Sequence, residues 1–283
     1  MANEIALLGA TEIREIASRL ELRPAKSMGQ NFVIDGNSCQ KIVRVAGVTS
    51  DDLVLEIGPG LGSLSLAILQ AGAKLVAVEI DNRLANELAN TLRSHNCVAD
   101  TFTVINKDAL SVNELGEFPT KLVANLPYNI SVPVLLHILA KFPSITSGVV
   151  MVQTEVAERL AAKSGSKIYG IPSAKAAWWA DLSLGGTISR SVFWPVPNVD
   201  SSLVKFNRHQ PLGSEVERNL TFTVIDQAFS QRRKMLRSVL ADLCGGNSQA
   251  ESILTAIGID PTLRGESLTI HDFLKIAIAL AKK

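Results

Sequence analysis

Residues 52–69 read DLVLEIGPGLGSLSLAIL, and this stretch indicates the fold class. Its first six residues form an apolar run that predicts a buried strand, and its last seven have the composition of a helix. Three glycines lie between them, at positions 58, 60 and 62. A strand, a glycine loop and a helix in this order bring backbone amides close to a nucleotide. Glu56, two residues before the first glycine, agrees with a nucleotide site.

The glycine spacing and a later acidic residue narrow the kind of nucleotide. The dinucleotide pattern G-x-G-x-x-G would place its third glycine at Ser63, whereas the third glycine here is Gly62. This spacing disfavours a nicotinamide dehydrogenase. Residues 74–78 predict a second strand that ends at Glu79, 21 residues after Gly58. A carboxylate at that point can accept hydrogen bonds from both ribose hydroxyls of a nucleoside.

Strand and helix patterns repeat along the first two thirds of the chain. Residues 101–105 predict a third strand, residues 121–124 a fourth and residues 148–153 a fifth, with helical patterns between them. Four or five β-α units imply an α/β fold, with a mostly parallel sheet and helices on both faces. Asp108 follows the third strand, where it can accept from an adenine amine or cap a short helix.

Residues 125–131 read NLPYNIS and follow the fourth strand. In open parallel sheets, ligands bind at the carboxyl ends of the strands. There the side-chain oxygen of Asn125 can accept from the exocyclic amine of a base while the ring of Tyr128 stacks on that base. The alternative is structural, with Asn125 as a cap, Pro127 at a helix start and Tyr128 in packing. This stretch alone leaves both interpretations open.

Residues 26–35 form a polar, glycine-containing segment between apolar stretches. Such a segment is typical of a lid over a ligand, and equally of a surface turn packed by Phe32. The sequence here does not separate the two.

After residue 208 the pattern changes to helices only, which predicts one domain over residues 1–208 and a second over residues 209–283. The helices predicted for the second domain cover residues 215–229, 232–243, 248–257 and 269–282. Four cations lie at the start of the second of these helices: Arg232, Arg233, Lys234 and Arg237. Cations there oppose the helix macrodipole, so their clustering favours contact with phosphates. A solvated face is the alternative.

Composition limits the possible classes of protein. Of 283 residues, 47% are hydrophobic and 19% charged, which is typical of a globular chain and argues against disorder. The net charge of +1 means that any footprint for nucleic acid must be local. The three cysteines are far apart and no metal-ligand spacing occurs, so we expect neither a zinc site nor disulfides, and a reducing cytoplasm. The first residues do not read as a signal peptide, and no apolar run is long enough for a membrane span.

Six motifs carry a resemblance to a known family, in the family's order. They are GQNF at 29–32, EIGPGLG at 56–62, NLPYNIS at 125–131, FWPVPNVDS at 193–201, FSQRRK at 229–234, and Arg264, Glu266 and Leu268 near the end. With these motifs the chain resembles the small-subunit ribosomal RNA adenine dimethyltransferases over residues 22–280.

The resemblance implies an enzyme of the class I fold that uses S-adenosyl-L-methionine. It would dimethylate two adjacent adenosines in a loop near the 3′ end of 16S rRNA, within the assembling 30S subunit, and act in subunit biogenesis. Residues 1–208 would be the catalytic domain that binds the cofactor, and residues 209–283 the helical rRNA-binding domain. We expect a cytoplasmic protein without membrane contact, and a monomer by default.

The resemblance also assigns residue roles. Tyr128 and Phe193 would sandwich the target base, and Asn125 would contact both ligands. The residues expected at the cofactor are Gln30, Asn31, Val33, Gly58, Gly60, Glu79, Asp108 and Asn125.

The expected chemistry requires no general base. An adenine exocyclic nitrogen has its lone pair delocalised into the ring, so the difficulty is the nucleophile. Hydrogen bonds from this amine to the Asn125 side-chain oxygen and the Leu126 carbonyl would favour a pyramidal nitrogen with a localised pair. Pro127 would aim that carbonyl, because its ring restricts the backbone.

Rival functions remain open at the level of sequence. A large-subunit rRNA methyltransferase of the macrolide-resistance type is the nearest, although Leu126 and the QRRK run at 231–234 favour the small subunit. A DNA adenine methyltransferase would be expected to have Pro-Pro-Tyr after its Asn or Asp. From another class, the chain would act chiefly as an assembly factor that binds RNA without turnover.

Overall fold

The computed structural model describes residues 5–22 and 31–282. The strands are β1 (Phe32–Val33), β2 (Leu53–Ile57), β3 (Lys74–Glu79), β4 (Phe102–Asn106), β5 (Lys121–Asn125), β6 (Ser147–Gln153), β7 (Ala180–Ile188), β8 (Phe193–Trp194) and β9 (Ser201–Arg208). The α-helices are α1 (Ala10–Arg19), α2 (Gly36–Ala46), α3 (Ser63–Gln70), α4 (Asn82–Ser94), α5 (Ser131–Lys141), α6 (Thr154–Ala161), α7 (Ile171–Ala176), α8 (Glu215–Ser230), α9 (Leu236–Val239), α10 (Ala241–Cys244), α11 (Asn247–Ala256) and α12 (Ile270–Ala281).

Seven strands form one sheet in the order β4-β3-β2-β5-β6-β9-β7. The pairs β2–β3, β2–β5, β3–β4 and β5–β6 are parallel, whereas β9 runs antiparallel to β6. The inner strands are buried almost without interruption, because helices cover both faces of a parallel sheet. The predicted α/β fold with a mostly parallel sheet is confirmed, and the antiparallel strand β9 makes the sheet mixed.

The chain order reverses between β2 and β5. From β2, the strands β3 and β4 extend the sheet to one side, and β5 and β6 extend it to the other. At such a reversal, the carboxyl ends of the strands form a crevice that can hold a ligand. The glycine loop at 58–62 leaves β2 at this edge, and Asn125 is the last residue of β5. The two stretches singled out in the sequence therefore meet at one edge of the sheet.

The structure divides into two compact units, one from the N-terminal part through Ala157 with Leu184–Arg208, and the other Glu158–Ser183 with the chain from His209 onward. The division differs from the predicted domains 1–208 and 209–283 in residues 158–183, which group with the C-terminal helices. The reason is packing within the second unit. Trp179 meets Phe222 of α8 edge-on at 5.5 Å, and Lys175 pairs with Asp226 at 2.7 Å.

The predicted helix 232–243 is wrong. Residues 231–235 form a turn, followed by the short helices α9 and α10. The backbone N–H of Leu236 donates to the Leu263 carbonyl at 2.8 Å, and that of Arg237 donates to the Pro261 carbonyl at 3.1 Å. Because these donors bind carbonyls from a distant loop, they cannot form bonds to the preceding helical turn. The other three predicted helices of this region are confirmed as α8, α11 and α12, within one or two residues at each end.

In the part of the chain that the structure describes, every helix is too short or too polar to cross a membrane.

Candidate active site

A cavity of about 240 Å³ opens at the carboxyl ends of β2, β3 and β5. Its walls come from four segments, which lie within residues 31–33, 56–64, 79–84 and 125–130. These segments are the glycine loop, the end of β3, the NLPYNIS stretch and the short strand β1. The structure thus brings most of the predicted cofactor and catalytic residues to one place.

Backbone geometry explains the glycines of the loop. Gly58 has φ +67° and Gly60 has φ +57°, in the left-handed region that side chains other than glycine rarely adopt. A Cβ atom on Gly60 would come within 3.1 Å of two ring atoms of Phe32. The Gly58 N–H donates to the Val78 carbonyl at 2.9 Å, which ties the loop to β3. Both predicted glycines line the cavity.

Glu79 holds the same loop from the side of β3. Its Oε2 accepts from the Gly60 N–H at 3.2 Å and its Oε1 accepts from the Asp81 N–H at 3.0 Å. The side chain lines the cavity and is almost fully buried, and this burial raises its pKa. Each carboxylate oxygen has a second lone-pair position, so Glu79 can accept from two more donors on the cavity side.

Glu56 lies in the wall of the cavity as a neutral acid. It is 1% exposed, and the Ser65 hydroxyl donates to its Oε2 at 2.6 Å. Burial raises the pKa of Glu56 from 4.5 to about 8, with a smaller contribution from the charge of Glu79. The sequence motif indicated this residue, but not its protonation state, because burial is decided by the fold.

We expect Glu56→Gln to become progressively more stable relative to the parent as pH rises. Between pH 4.5 and about 8 the folded parent keeps a proton that the unfolded chain releases, so parent stability falls across this window and then levels off. The slope is at most about 1.4 kcal/mol per pH unit. The glutamine variant has no such proton. Melting temperatures of both proteins at pH 5 to 8 test this, with the exposed Glu114→Gln as control. A constant difference between parent and Glu56→Gln would contradict it.

Asn125 and Leu126 present two acceptors at the end of β5. The Asn125 Nδ2 donates to the Asn31 carbonyl at 3.3 Å, which orients the side-chain amide. The Leu126 N–H donates to the Met151 carbonyl at 3.1 Å. Among the described residues, no donor reaches the Asn125 Oδ1 or the Leu126 carbonyl oxygen. Both residues line the cavity, so it contains a pair of acceptors for an amine.

Tyr128 lines the cavity, but Phe193 does not. Tyr128 is half-buried, and its hydroxyl shares a hydrogen bond of 2.9 Å with the Ser201 hydroxyl. Phe193 is 1% exposed, since β8 pairs antiparallel with β1, opposite Val33, and its ring enters the core. Phe193 thus lies outside the walls of the cavity in this structure, and the expected sandwich of a base between Tyr128 and Phe193 stays a prediction.

Some of the remaining predicted cofactor residues line the cavity, and others do not. Val33 lines the cavity, and its carbonyl accepts from the Ser63 hydroxyl at 2.6 Å. Asn31 lines it as well. Asp108 is exposed, does not line the cavity, and caps the 3-10 helix Ala109–Ser111 by accepting from the Leu110 N–H at 2.9 Å. Its cap is confirmed, while its contact with adenine stays a prediction. Gln30 lies outside the described residues.

Ile80 was not singled out from the sequence. It follows Glu79, lines the cavity, and is 67% exposed. An exposed apolar side chain beside the cavity offers a surface for a flat ring. The signal available in the sequence was its position directly after the strand-ending acid.

The four predicted RNA-binding cations lie in the second unit, and Arg232 and Arg237 among them form ion pairs. Arg232 donates to the Lys167 carbonyl at 2.6 Å and pairs with Glu266 at 3.1 Å. Arg237 pairs with Glu251 at 2.9 Å. These two arginines therefore hold parts of the second unit together.

Arg233 and Lys234 differ from those two arginines. Both are exposed in the turn, and across residues 5–22 and 31–282 neither side chain has an ion pair or a hydrogen bond. Of the four cations, Arg233 and Lys234 therefore have side chains that are available to a phosphate.

Comparison with known proteins agrees with this geometry. The chain matches the family "Ribosomal RNA adenine dimethylase" over residues 22–282. It is 54% identical to the "Ribosomal RNA small subunit methyltransferase A" of Leifsonia xyli subsp. xyli (strain CTCB07), over 97% of this chain and 99% of that protein.

Two solved structures share the fold. A dimethyladenosine transferase from Plasmodium falciparum has a TM-score of 0.74 at 24% identity, covering 88% of this chain and 96% of its own. The 23S rRNA methyltransferase ErmE has a TM-score of 0.66 at 23% identity, covering 88% and 99%. The match in sequence spans nearly the whole chain, and so the chain belongs to the ribosomal RNA adenine dimethylase family.

Proposed function

We propose that this chain transfers methyl groups from S-adenosyl-L-methionine to the exocyclic amines of two adjacent adenosines in a loop near the 3′ end of 16S rRNA. The observation that carries the proposal is the pair of acceptors, Asn125 Oδ1 and the Leu126 carbonyl, in a cavity that Tyr128 also lines. Membership of the family and the name shared by the relatives support the choice of substrate.

The cavity fits the cofactor. At Gly58 and Gly60 the loop has no Cβ atom, so its backbone lies close to the cavity. Glu79 has acceptor positions for ribose hydroxyls. Ile80 offers an apolar surface for the adenine ring, with Asp108 as the proposed acceptor for its amine. Gln30, Asn31 and Val33 would cover the cofactor from the other side. When bound, the cofactor supplies a methyl group on a good leaving group.

The chain's own residues then act on the nucleophile. The target amine donates one hydrogen bond to Asn125 Oδ1 and another to the Leu126 carbonyl, which favours a pyramidal nitrogen with its lone pair directed away from both. Pro127 restricts the backbone next to that carbonyl. Orientation of this kind can supply several kcal/mol of the barrier. Glu56 is protonated at neutral pH, so it adds no negative charge next to Glu79.

Stacking of the base is assigned to Tyr128. Tyr128 lines the cavity, as do Asn125 and Leu126, which carry the two acceptors. Base–aromatic stacking is worth roughly 1–3 kcal/mol per base. Phe193 is the proposed partner on the other face of the base, and it is buried in this structure.

The second unit would dock the chain on rRNA within the assembling 30S subunit. We propose that the protein acts in the cytoplasm as a monomer and contributes to subunit biogenesis. Arg233 and Lys234 are the proposed phosphate contacts, with Arg232 and Arg237 holding the surrounding turn.

Transfer of labelled methyl groups tests the proposal. Purified protein and S-adenosyl-L-methionine are incubated with unmethylated small subunits, and with large-subunit RNA in parallel. We expect label in small subunits only, recovered as dimethyladenosine after digestion. Label in large-subunit RNA would instead indicate a resistance-type enzyme. Tight subunit binding without label in either RNA would favour the assembly factor.

We expect Arg233→Gln/Lys234→Gln to weaken binding to small subunits and to flatten its salt dependence. Each lost phosphate contact reduces the slope of log K against log salt by about 0.7–0.9. Filter binding at several salt concentrations measures both effects. Lys74→Gln/Lys141→Gln is the matched control, since it removes the same charge from exposed positions at the amino-terminal edge of the sheet. An unchanged slope in the Arg233/Lys234 variant would make this turn a solvated face.

A further inference from the structure

The hydrogen bond between Tyr128 and Ser201 joins two stretches that are 73 residues apart in the chain. Tyr128 belongs to the turn after β5, and Ser201 is the first residue of β9. The two hydroxyl oxygens lie 2.9 Å apart, and either can donate. Ser201 is fully buried, so water does not replace this bond while the chain is folded.

Ser201 is held firmly. Its Cα lies opposite Gln153, the last residue of β6, in the antiparallel pair β6–β9. Just before it, the Asp200 carbonyl accepts from both the N–H and the hydroxyl of Thr154, at 3.1 Å each. Just after it, the Ser202 hydroxyl lies 3.0 Å from the Thr154 hydroxyl. The start of β9 is thus fixed to the end of β6 on both sides of Ser201.

Tyr128 is held much less. Apart from the bond to Ser201, the described contacts of Tyr128 involve its backbone, whose carbonyl accepts from the Ser131 hydroxyl at 3.4 Å. In the described ranges no aromatic ring stacks on the ring of Tyr128. A half-buried tyrosine with no aromatic ring stacked on it has more freedom to rotate about its side-chain bonds when its hydroxyl is not tethered.

We propose that Ser201 is a positioning residue, which fixes the plane of the Tyr128 ring on which the target adenine stacks. The inference rests on the proposed function and adds a residue to it. A fixed ring plane keeps the amine of the stacked base in line with the transferred methyl group. A freely rotating ring still binds the base but samples productive geometry less often. Loss of the tether therefore lowers kcat more than it raises KM.

A double-mutant cycle with Ser201→Ala and Tyr128→Phe tests this. Each variant removes one hydroxyl of the pair and keeps the packing of the rest. We expect each to lower kcat on small subunits by about 2- to 10-fold, as for a lost neutral hydrogen bond, with KM for subunits and for S-adenosyl-L-methionine within about twofold. The double variant is expected to equal the slower single variant, because both changes remove the same bond.

A spectroscopic reading separates positioning from a general loss of structure. The chain has two tyrosines, Tyr128 and Tyr169. Burial raises the pKa of Tyr128, and the hydrogen bond from Ser201 offsets part of that rise, while burial raises the pKa of Tyr169 to about 12. In Ser201→Ala, titration of phenolate absorbance should therefore show a further rise in the pKa of Tyr128, with that of Tyr169 unchanged.

The outcomes are distinct. If the parent is active but Ser201→Ala and Tyr128→Phe both keep full kcat, the positioning role is overturned and the proposed function stands. Additive losses in the double variant would also overturn it. A parent without methyl transfer overturns both. If Ser201→Ala does not fold, Tyr128→Phe removes the same bond at a half-buried position and decides the question.

Discussion

Asn125→Ala is expected to lower kcat for methyl transfer by about 10²- to 10³-fold, the usual effect of deleting one polar group aimed at the reacting centre. The side-chain oxygen is one of the two acceptors offered to the amine, and alanine removes it while the Leu126 carbonyl stays. The Nδ2 bond to the Asn31 carbonyl is lost as well, so cofactor affinity should fall moderately, without being abolished. Single-turnover methylation of small subunits and calorimetric titration with S-adenosyl-L-methionine measure the two effects separately.

Asn113→Ala is the matched control for Asn125→Ala. Asn113 is exposed, lies outside the cavity walls, and its Nδ2 donates to the nearby Ser111 carbonyl at 3.3 Å. It should keep parental kcat. An Asn125→Ala enzyme with parental kcat would remove Asn125 from the mechanism.

Glu79→Ala is expected to raise the dissociation constant for S-adenosyl-L-methionine by about 10²-fold or more. A hydrogen bond to a charged group contributes about 1.5–3 kcal/mol, and the carboxylate can accept one from each ribose hydroxyl. The substitution also leaves the Gly60 and Asp81 N–H groups without their acceptor, which loosens the glycine loop. Both effects act in the same direction on cofactor binding.

Calorimetric titration of Glu79→Ala with S-adenosyl-L-methionine gives the measurement, and circular dichroism establishes that the variant is folded. Glu114→Ala is the control, because Glu114 is an exposed acid outside the cavity. A folded Glu79→Ala protein with parental affinity would show that the ribose is held elsewhere.

Much of the site could be predicted from local sequence, for a physical reason. The strand, the glycine loop and the acid after the next strand are short-range patterns, and parallel strands bring their carboxyl ends to one edge of a sheet. Gly58, Gly60, Glu79 and Asn125 therefore had to lie at the same edge once the sheet was parallel, and the strand order β3-β2-β5 makes them neighbours. The helices α8 and α12 were also readable, because each begins with a capping box and continues with an apolar face.

Other features depend on contacts between distant parts of the chain. Phe193 looked like a stacking residue, but the pairing of β8 with β1 turns its ring into the core. The predicted helix 232–243 breaks because donors of Leu236 and Arg237 bind the loop at 261–263. Residues 158–183 join the second unit because their aromatic side chains pack on α8. These partners are far apart in the sequence, so a pattern of neighbouring residues cannot predict them.

The amino-acid sequence by itself determined the parallel α/β architecture, the edge of the sheet at which the candidate site lies, and the chemistry of the residues placed there. Only the tertiary structure decided which of those residues are available. It neutralised Glu56 by burial, engaged Arg232 and Arg237 in ion pairs, and placed the Ser201 hydroxyl against Tyr128. The division has one cause: periodicity and turn chemistry act over a few residues, whereas burial and hydrogen-bond partners depend on segments that meet only when the chain is folded.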